Sequence, residues 1–519
     1  MTTAAAWRAC KRTAPPNIWT TSPQPGDQYN GYTLYHDGNR DTFQLLLQDQ
    51  DFAYDSVDNP IEIRDWRLNE EWPDGSRPVS RKLQYDDLYR LTQLDYEYKG
   101  GTDAWKDPFA SEDAPTDPNH LLDPRRAQPS PHVQFDDSRP EQQMFSYDWL
   151  GNTSTTGDDV GGFYDRSLGT LTNGTVSSGP YQLRSASNHG ATGSTRTGDL
   201  VAGYYVAGNL TGLIVKRTGT CLPTGASCST RFAYDWDEVG RLSHARRWDL
   251  SAAEMTSNGS LGSAPPTRDP DVDLRHAYDA SDQRVIKTAT VGVAQVHTVY
   301  IFASLELHRA RYGMQGELDY EQTPLTEVPY LTTHGARLAR TAYEQPAFPL
   351  PRVDQGPLHV VLELGDHLGS TSLAIDQRTS ELVEASTYLP FGATETDYRP
   401  ARWDAFREDY RFTGKEEDIE VGLRYFGKRY YAPSLNRWVS ADPLVVHVPA
   451  EADLNVYAYV HGQLLKAVDP VGLQSTIADT VKWHEQQQAE QVAQQKADEA
   501  VQPKAPEGWD PAMRPKTSA

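Results

Sequence analysis

One short unit recurs along this chain, and it constrains the fold more than any other feature. Each copy has an aromatic or apolar residue, one spacer, Tyr-Asp, a few turn-forming residues and then an apolar alternation. The copies are FAYD at Phe52–Asp55, LQYD at Leu83–Asp86, FSYDWLGN at Phe145–Asn152, FAYDWDEVGRL at Phe232–Leu242 and HAYDASDQRVI at His276–Ile286. Residues two apart share one face of a strand, and Asp begins a turn through its side-chain acceptor. Because one hairpin cannot bury its face, these units predict hairpins stacked into one long sheet.

The composition agrees with many short strands. Aromatic residues make up 10% of the chain, which has 28 Tyr, 38 Gly and 35 Pro. Such a content favours strands joined by turns. Residues 101–140 are rich in Pro and Asp and predict an extended loop, and residues 249–273 and 345–357 predict further loops. Residues 474–519 begin with a Gln/Ala/Glu-rich stretch and end Pro-rich, which predicts a marginal helix flanked by disorder.

Charge and apolar content restrict the partners. The chain has 49 Lys and Arg against 72 Asp and Glu, a net charge of -23. It therefore repels phosphate backbones, and we expect no nucleic-acid partner. No segment approaches the ~20 apolar residues that cross a bilayer, and the N-terminal residues lack the apolar run of a signal peptide. We expect no membrane span, and export by a route without a signal peptide or a cytoplasmic location before release.

Several residue groups that suggest chemistry have simpler interpretations. Cys221 and Cys228 are near enough in sequence to pair in a loop, which leaves Cys10 unmatched and excludes a disulfide framework. No His or further Cys accompanies the pair, so a metal half-site is disfavoured. The segment 365–372 contains Asp, His and Ser, the residue types of a catalytic triad, but their adjacency predicts a turn. No phosphate-binding motif is present, and we expect neither cofactor nor metal.

A linear series of motifs fills residues 364–473. They are GDHLGSTS at 365–372, YLPFG at 388–392, FTGKEED at 412–418, GLRYFGKRYY at 422–431, NRWVSADP at 436–443, NVYAYVHGQ at 455–463 and DPVGL at 469–473. Together they resemble the RHS repeat-associated core, and the Tyr-Asp units resemble the YD repeats of the same family. This family includes the C component of insecticidal Tc toxins and the shells of polymorphic toxins. The resemblance covers most of residues 50–473.

The resemblance implies a mainly β fold in which a curled sheet of YD hairpins forms part or all of a hollow shell. It divides the chain into an N-terminal segment (1–50), a YD-repeat shell (51–363), a core that closes the shell as a plug (364–473) and a variable C-terminal tail (474–519). Dense aromatics at strand spacing are usually core residues. We therefore expect the following side chains to pack in the plug: Tyr388, Phe391, Tyr425, Tyr430, Tyr431 and Trp438.

The resemblance also implies a chemistry. In family members of the Tc type, an aspartyl protease activity within the core cuts after the DPxGL motif, which here places the scissile bond between Leu473 and Gln474. The matching residues are Asp442 as the base, Asp469 as a second carboxylate and Arg429 as the group that fixes carboxylate ionisation or steadies the oxyanion. Two nearby carboxylates can share one proton, so that one activates water while the other protonates the leaving amine.

A structural interpretation of the same residues stays open. SADP and DPVGL are also Asp-Pro turns that end strands, and Arg429 could pair with a carboxylate for stability alone. The connection between Asp442 and Asn455 looks longer than usual in the family, which puts the site geometry in question. Two functions follow. The first is a toxin-delivery shell that releases its own tail as cargo. The second is a protein whose core does not cut, either a structural or adhesive protein or a truncated toxin relative without active cargo. A closed shell in this family has more strand-forming sequence than this chain supplies. The resemblance therefore implies a B-component-like YD-repeat partner.

Overall fold

The computed structural model describes residues 12–13, 33–37, 40–44, 46–110, 129–175, 179–190, 194–291, 294–310, 327–333, 336–343, 357–400, 403, 406–444 and 455–473. The predictions for the tail at 474–519, for most of the loop at 345–357 and for the connection after residue 444 lie outside these residues.

The protein is mainly β, as predicted. The strands before residue 250 are β1 (Arg12–Thr13), β2 (Thr33–Asp37), β3 (Arg40–Gln44), β4 (Leu46–Gln48), β5 (Gln50–Tyr54), β6 (Pro60–Asp65), β7 (Val79–Tyr85), β8 (Leu91–Tyr98), β9 (His132–Val133), β10 (Gln142–Tyr147), β11 (Thr153–Asp158), β12 (Gly169–Asn173), β13 (Leu183–Ser187), β14 (Gly198–Tyr204), β15 (Leu210–Arg217), β16 (Cys221–Leu222), β17 (Thr230–Trp236) and β18 (Leu242–Asp249). The later strands are β19 (Val272–Tyr278), β20 (Arg284–Val291), β21 (Ala294–Phe302), β22 (Leu305–Ala310), β23 (Glu327–Thr333), β24 (Ala336–Tyr343), β25 (Leu358–Gly365), β26 (Thr371–Asp376), β27 (Leu382–Tyr388), β28 (Thr394–Tyr398), β29 (Glu416–Asp418), β30 (Leu423–Tyr425), β31 (Tyr430–Ala432) and β32 (Arg437–Trp438).

Most of these strands form one large antiparallel sheet, made of β5–β8, β10–β15 and β17–β28. Consecutive strands are neighbours, as stacked hairpins require, so the sheet follows the chain order. A second sheet holds β29–β32 from the core motifs, and β1 with β4, β2 with β3 and β9 with β16 form two-stranded pairs. The described residues also contain one α-helix, α1 (Ala252–Asn258), and 3-10 turns at Asn69–Glu71, Phe412–Gly414, Pro433–Leu435 and Val460–Gly462.

The turns of the repeat have one recurring chemistry. In the first copy, Asp55 Oδ1 accepts the backbone N–H groups of Val57 and Asn59, both at 2.9 Å. The aspartates at positions 86, 148 and 279 bond the residues two and four positions later in the same way. The aromatic residue before the aspartate donates to a carbonyl of the preceding strand: Tyr85 to Pro60, Tyr147 to Leu91 and Tyr278 to Leu242. The predicted role of the Tyr-Asp dipeptide is thereby confirmed in these copies.

In the fourth copy, the predicted turn position was wrong by two residues. The turn aspartate is Asp237, whose Oδ1 accepts the N–H groups of Val239 at 3.1 Å and Arg241 at 2.8 Å. Trp236 takes the place of the tyrosine, and its Nε1 donates to the carbonyl of Leu210 at 2.7 Å. The shift of two residues keeps the same face of the strand buried, so Tyr234 still lies in the core. An indole N–H can replace the phenol as the donor.

The predicted loops hold more structure than expected. The connection at 249–273 contains α1, which begins with a capping box in which Ser251 and Glu254 bond each other's backbone N–H groups. The pattern Ser-x-x-Glu in the sequence could have revealed it. Residues 131–134 of the Pro-rich segment carry β9, which pairs with β16 beside the Cys221–Cys228 disulfide.

The core lies between the large sheet and the small one. One cluster joins side chains of β12–β20 to residues of β30 and β31, such as Leu213 and Phe232 to Leu423 and Tyr430. A second joins β6–β10 to the small sheet and the residues around Tyr459. Phe391, Tyr430, Tyr431 and Trp438 are buried, and Tyr388 and Tyr425 are partly buried against the clusters, which confirms the predicted packing.

The sheet curls enough to bring distant strands together. Glu395 on β28 binds Arg81 on β7 at 2.7 Å and Arg139, which precedes β10, also at 2.7 Å. These partners are separated by 314 and 256 residues. The late strands of the sheet therefore lie beside the early ones, with the small sheet against the enclosed face.

Candidate functional site

The last described segment, residues 455–473, lies across the turns of the YD hairpins. It reaches two of these turns and the turn between β14 and β15 through single hydrogen bonds, and a residue of the loop between β30 and β31 reaches a further YD turn. The bonds are Asn455 Nδ2 to Asn152 Oδ1 at 2.9 Å, Tyr457 Oη to the Gly208 carbonyl at 2.6 Å, Lys466 Nζ to the Val57 carbonyl at 2.5 Å and Lys428 Nζ to the Ser281 carbonyl at 2.8 Å. The candidate site is built where this segment meets β31 and β32.

Arg429 is the centre of the site. Its Nη1 lies 3.2 Å from Asp442 Oδ2, and its Nη2 lies 3.4 Å from Asp469 Oδ2. Its Nε donates to the carbonyl of Gly472, and the guanidinium stacks over the Trp438 ring with 4.2 Å to the ring centroid. The guanidinium, both carboxylates and the ring are buried, so these charges interact with little solvent screening. The structure thus brings together all three residues that the resemblance implied.

Asp469 shapes the chain before the predicted scissile bond. Its Oδ1 accepts three consecutive backbone N–H groups: Val471 at 3.2 Å, Gly472 at 2.7 Å and Leu473 at 3.1 Å. Burial raises the pKa of this carboxyl, and the Arg429 charge and the three backbone donors oppose the rise. The turn requires glycine at position 472, where φ is +79° and an added Cβ would lie 3.0 Å from the backbone N of Arg429.

Asp442 is held at the other end of Arg429. Its Oδ1 accepts the N–H of Leu444 at 2.9 Å, and its own backbone N–H donates to the Val456 carbonyl at 3.0 Å. Each aspartate therefore uses one oxygen to bind a turn and directs the other at the guanidinium. Both carboxylates contact Arg429. Each also accepts a backbone N–H in a turn, as the structural interpretation expects.

The three carbonyls before Leu473 each receive a donor from the plug. Lys415 Nζ donates to the Pro470 carbonyl at 2.5 Å. The backbone N–H of Lys428 donates to the Val471 carbonyl at 3.0 Å, and Arg429 Nε donates to the Gly472 carbonyl. Sequence reasoning missed both lysines, although each lies in a core motif next to a glycine, FTGKEED and FGKRYY. Leu473 is the last described residue of this segment, and Gln474 lies outside the description.

The other candidate groups, the Asp/His/Ser segment and the cysteine pair, have structural roles. Asp366 accepts the N–H groups of Leu368 at 2.8 Å and Ser370 at 2.9 Å, which is the turn chemistry of the repeat rather than a triad. Cys221 and Cys228 form a disulfide. The described residues contain no helix with the length and apolarity that a membrane crossing requires.

Comparison with known proteins relates the chain to toxin subunits. No family model matches it. The toxin subunit YenC1 of Yersinia entomophaga is 35% identical over 201 residues, which are 38% of this chain and 19% of YenC1. The toxin subunit YenC2 of the same organism is 34% identical over 92 residues, which are 18% of this chain and 9% of YenC2.

The chain is similar in sequence to these toxin subunits. This similarity confirms the resemblance that the motifs indicated. The match spans about a fifth of the length of YenC1. Salivary gland surface protein 1 of Aedes aegypti is also similar, with 35% identity over 109 residues, 21% of this chain and 3% of that protein.

Among solved structures, this chain resembles a crystal structure of TcdB2-TccC3, with a TM-score of 0.42 and 15% identity over 83% of this chain and 19% of that chain. A structure of the Photorhabdus luminescens Tc holotoxin pore gives the same TM-score of 0.42 and 15% identity, over 83% of this chain and 18% of that chain.

Proposed function

We propose that this chain is a toxin-related shell segment that cuts itself once, after Leu473, and so releases the polypeptide at 474–519. The observation that carries the proposal is the position of Arg429. Its guanidinium binds Asp442, Asp469 and the carbonyl of Gly472, one residue before the predicted bond. Two carboxylates and a cation at one backbone position are the groups that peptide hydrolysis needs.

The reaction is the hydrolysis of one peptide bond. Asp442 removes a proton from water, and the oxygen attacks the carbonyl carbon of Leu473. The C–N bond to Gln474 breaks, Leu473 gains a carboxylate, and the nitrogen of Gln474 takes a proton and leaves as an amine. Asp469 is the proposed donor of that proton, because burial raises its pKa and favours its protonated form. Arg429 stabilises the charge that develops on the oxygen.

We also propose that the shell is completed by another YD-repeat polypeptide similar to a B component. β5 and β28 are the terminal strands of the large sheet, pairing with β6 and β27, and the aligned part of this chain covers 19% of YenC1. The related crystal structure contains TcdB2 together with TccC3. Size-exclusion chromatography of the purified chain with a co-expressed B-type protein tests this partnership, and separate elution of the two would contradict it.

The cleavage is tested by intact-mass measurement and peptide mapping of the purified full chain. We expect a product that ends at Leu473. Asp442→Asn keeps the shape of the side chain but cannot accept the proton from water, so we expect at least a ~100-fold slower cut. Arg429→Lys is also expected to impair cleavage, since an ammonium cannot bind two carboxylates and a carbonyl as a guanidinium fork does.

The matched control is Asp279→Asn, the same substitution in an exposed YD turn that bonds Ser281 and Gln283. It should cut at the wild-type rate. Asp469→Asn decides the role of the second carboxylate: loss of cleavage supports the proton donor, and full retention limits Asp469 to shaping the turn.

The structural function remains the second candidate, because Asp442 and Asp469 each also bind backbone N–H groups in a turn. A wild-type chain that stays intact at 519 residues would establish it over self-cleavage.

A further inference from the structure

Lys415 holds the segment before the proposed cut, although nothing in the implied protease chemistry uses it. It follows the 3-10 turn Phe412–Gly414 in the FTGKEED motif, and its Nζ donates to the Pro470 carbonyl at 2.5 Å. The ammonium also lies 5.5 Å from the centroid of the Phe426 ring, a cation–π contact. The side chain is half-buried, so this bond is shielded from much of the solvent.

The three donors to this segment differ in kind. The Val471 carbonyl takes a backbone N–H, and the Gly472 carbonyl takes a guanidinium that is charged at every accessible pH. The Pro470 carbonyl depends on an ammonium at the end of a flexible side chain. Pro470 has no N–H of its own, so the Lys415 bond tethers the turn between Asp469 and Val471. Loss of this bond frees the middle of the turn to shift relative to Arg429.

We infer that Lys415 is a positioning residue for the proposed self-cleavage, and that its ammonium sets the register of the DPVGL turn against Arg429. The inference rests on the proposed function. Small displacements of a reacting group slow a reaction steeply, up to about 100-fold for 1 Å, so a tether two residues from the turn carbonyl at Gly472 is well placed to matter.

The charge of this tether is sensitive to alkaline pH. Burial lowers the pKa of Lys415 to about 8; the Asp469 carboxylate opposes that change, and Arg337 on β24 adds to it. The ammonium also lies over the Phe426 ring. Above pH 8 the ammonium loses its proton, and its hydrogen bond to the carbonyl loses the charge assistance.

The test follows cleavage of the full chain made by cell-free translation and then moved to buffers between pH 6.5 and 9.5. Wild-type cleavage is expected to slow above pH 8. Lys415→Met should cut at least ~10-fold more slowly at pH 7. Lys415→Arg keeps a charged donor and should restore much of the rate at pH 7 and remove the alkaline decline. A role limited to stability would not move this limb of the pH profile.

The matched control is Lys99→Met, which removes another lysine that donates to a backbone carbonyl, that of Arg67, on an exposed part of the sheet. It should leave the rate and the pH profile unchanged. Melting temperatures of Lys415→Met and Lys415→Arg in the Asp442→Asn background report whether each variant folds. The arginine variant keeps the test decisive if the methionine variant does not fold.

The two proposals fail differently. If wild type cuts after Leu473 and both Lys415 variants keep its rate and its alkaline decline, Lys415 has no positioning role and the proposed function stands. If wild type does not cut at all, the proposed function is overturned, and this inference falls with it.

Discussion

At the residue scale, one property of aspartate serves both the repeat and the candidate site. In the YD turns, an aspartate oxygen accepts backbone N–H groups two and four residues later, as at Asp55. Asp469 uses the same device on three consecutive N–H groups. The difference is the surroundings, because Asp469 is buried beside Arg429, while Asp55 lies at a more accessible turn. The two aspartates therefore differ in burial and in a neighbouring cation, and the dipeptide alone does not encode that difference.

The shifted turn of the fourth copy gives a residue-scale prediction. Asp237→Ala removes two backbone bonds and an ion pair with Arg241 and should lower the free energy of unfolding by roughly 1–2 kcal/mol. Asp235→Ala, in the Tyr-Asp dipeptide itself, removes only exposed pairs with Arg246 and His244 and should cost less than about 0.5 kcal/mol. Urea unfolding of both variants measures the difference. A larger loss of unfolding free energy for Asp235→Ala than for Asp237→Ala would show that Asp235, and not Asp237, forms the turn.

At the element scale, β31 and β32 owe their position to aromatic packing. Trp438 is 1% exposed. Its ring contacts Phe426, Tyr431 and Tyr459 with centroid distances of 5.0, 5.5 and 5.6 Å. Arg429 stacks over the same ring. The same tryptophan thus joins the core of the plug to the candidate site, so stability and site geometry are coupled there.

Trp438→Ala should therefore cost about 3–5 kcal/mol of unfolding free energy, because a large ring is removed from a close-packed cluster. Trp149 is 85% exposed in the turn of the third YD copy, and Trp149→Ala is the matched control, with a change below about 0.5 kcal/mol. Thermal or urea unfolding of both variants in the Asp442→Asn background avoids interference from cleavage. A loss under ~1 kcal/mol for Trp438→Ala would contradict the packing described here.

At the scale of the whole molecule, the curl of the sheet depends on buried ion pairs between distant strands. Glu395 joins Arg81 and Arg139, and these two arginines lower its pKa while burial opposes them. A lowered pKa in the folded state means that the carboxylate contributes stability above the ordinary glutamate range. That stability is lost as the pH falls through the lowered pKa.

Glu395→Gln should cost about 3–5 kcal/mol near neutral pH, since it leaves two enclosed guanidinium groups without their shared carboxylate. The variant should also lose less stability than wild type on acidification. Glu97→Gln removes a glutamate whose exposed pair with Lys82 lies on the same sheet, and it should change the stability by less than about 0.5 kcal/mol. Unfolding midpoints measured from pH 3 to pH 7 test these stability changes and their dependence on pH. Parallel pH profiles for wild type and Glu395→Gln would contradict the smaller loss of the variant on acidification.

The sequence by itself determined the mainly β fold and the hairpin unit, and its motif resemblance indicated the residues that meet at Arg429. Period-two apolar patterning and Asp at turns are local properties, so they can be recognised from neighbouring residues. The shift of the fourth turn was also within reach, because Trp236-Asp237 carries the same donor and acceptor types as Tyr-Asp. The capping box of α1 was a second local signal.

Only the tertiary structure decided how the carboxylates are arranged and what holds the segment before Leu473. The side chains of Asp442 and Asp469 meet through one guanidinium, and Lys415 reaches Pro470 across 55 residues of sequence. Such contacts depend on how the small sheet and the last described segment pack against the YD turns, and no local pattern records that packing. The pairing of Glu395 with Arg81, 314 residues apart, arises for the same reason, because the curl of the sheet brings the two together.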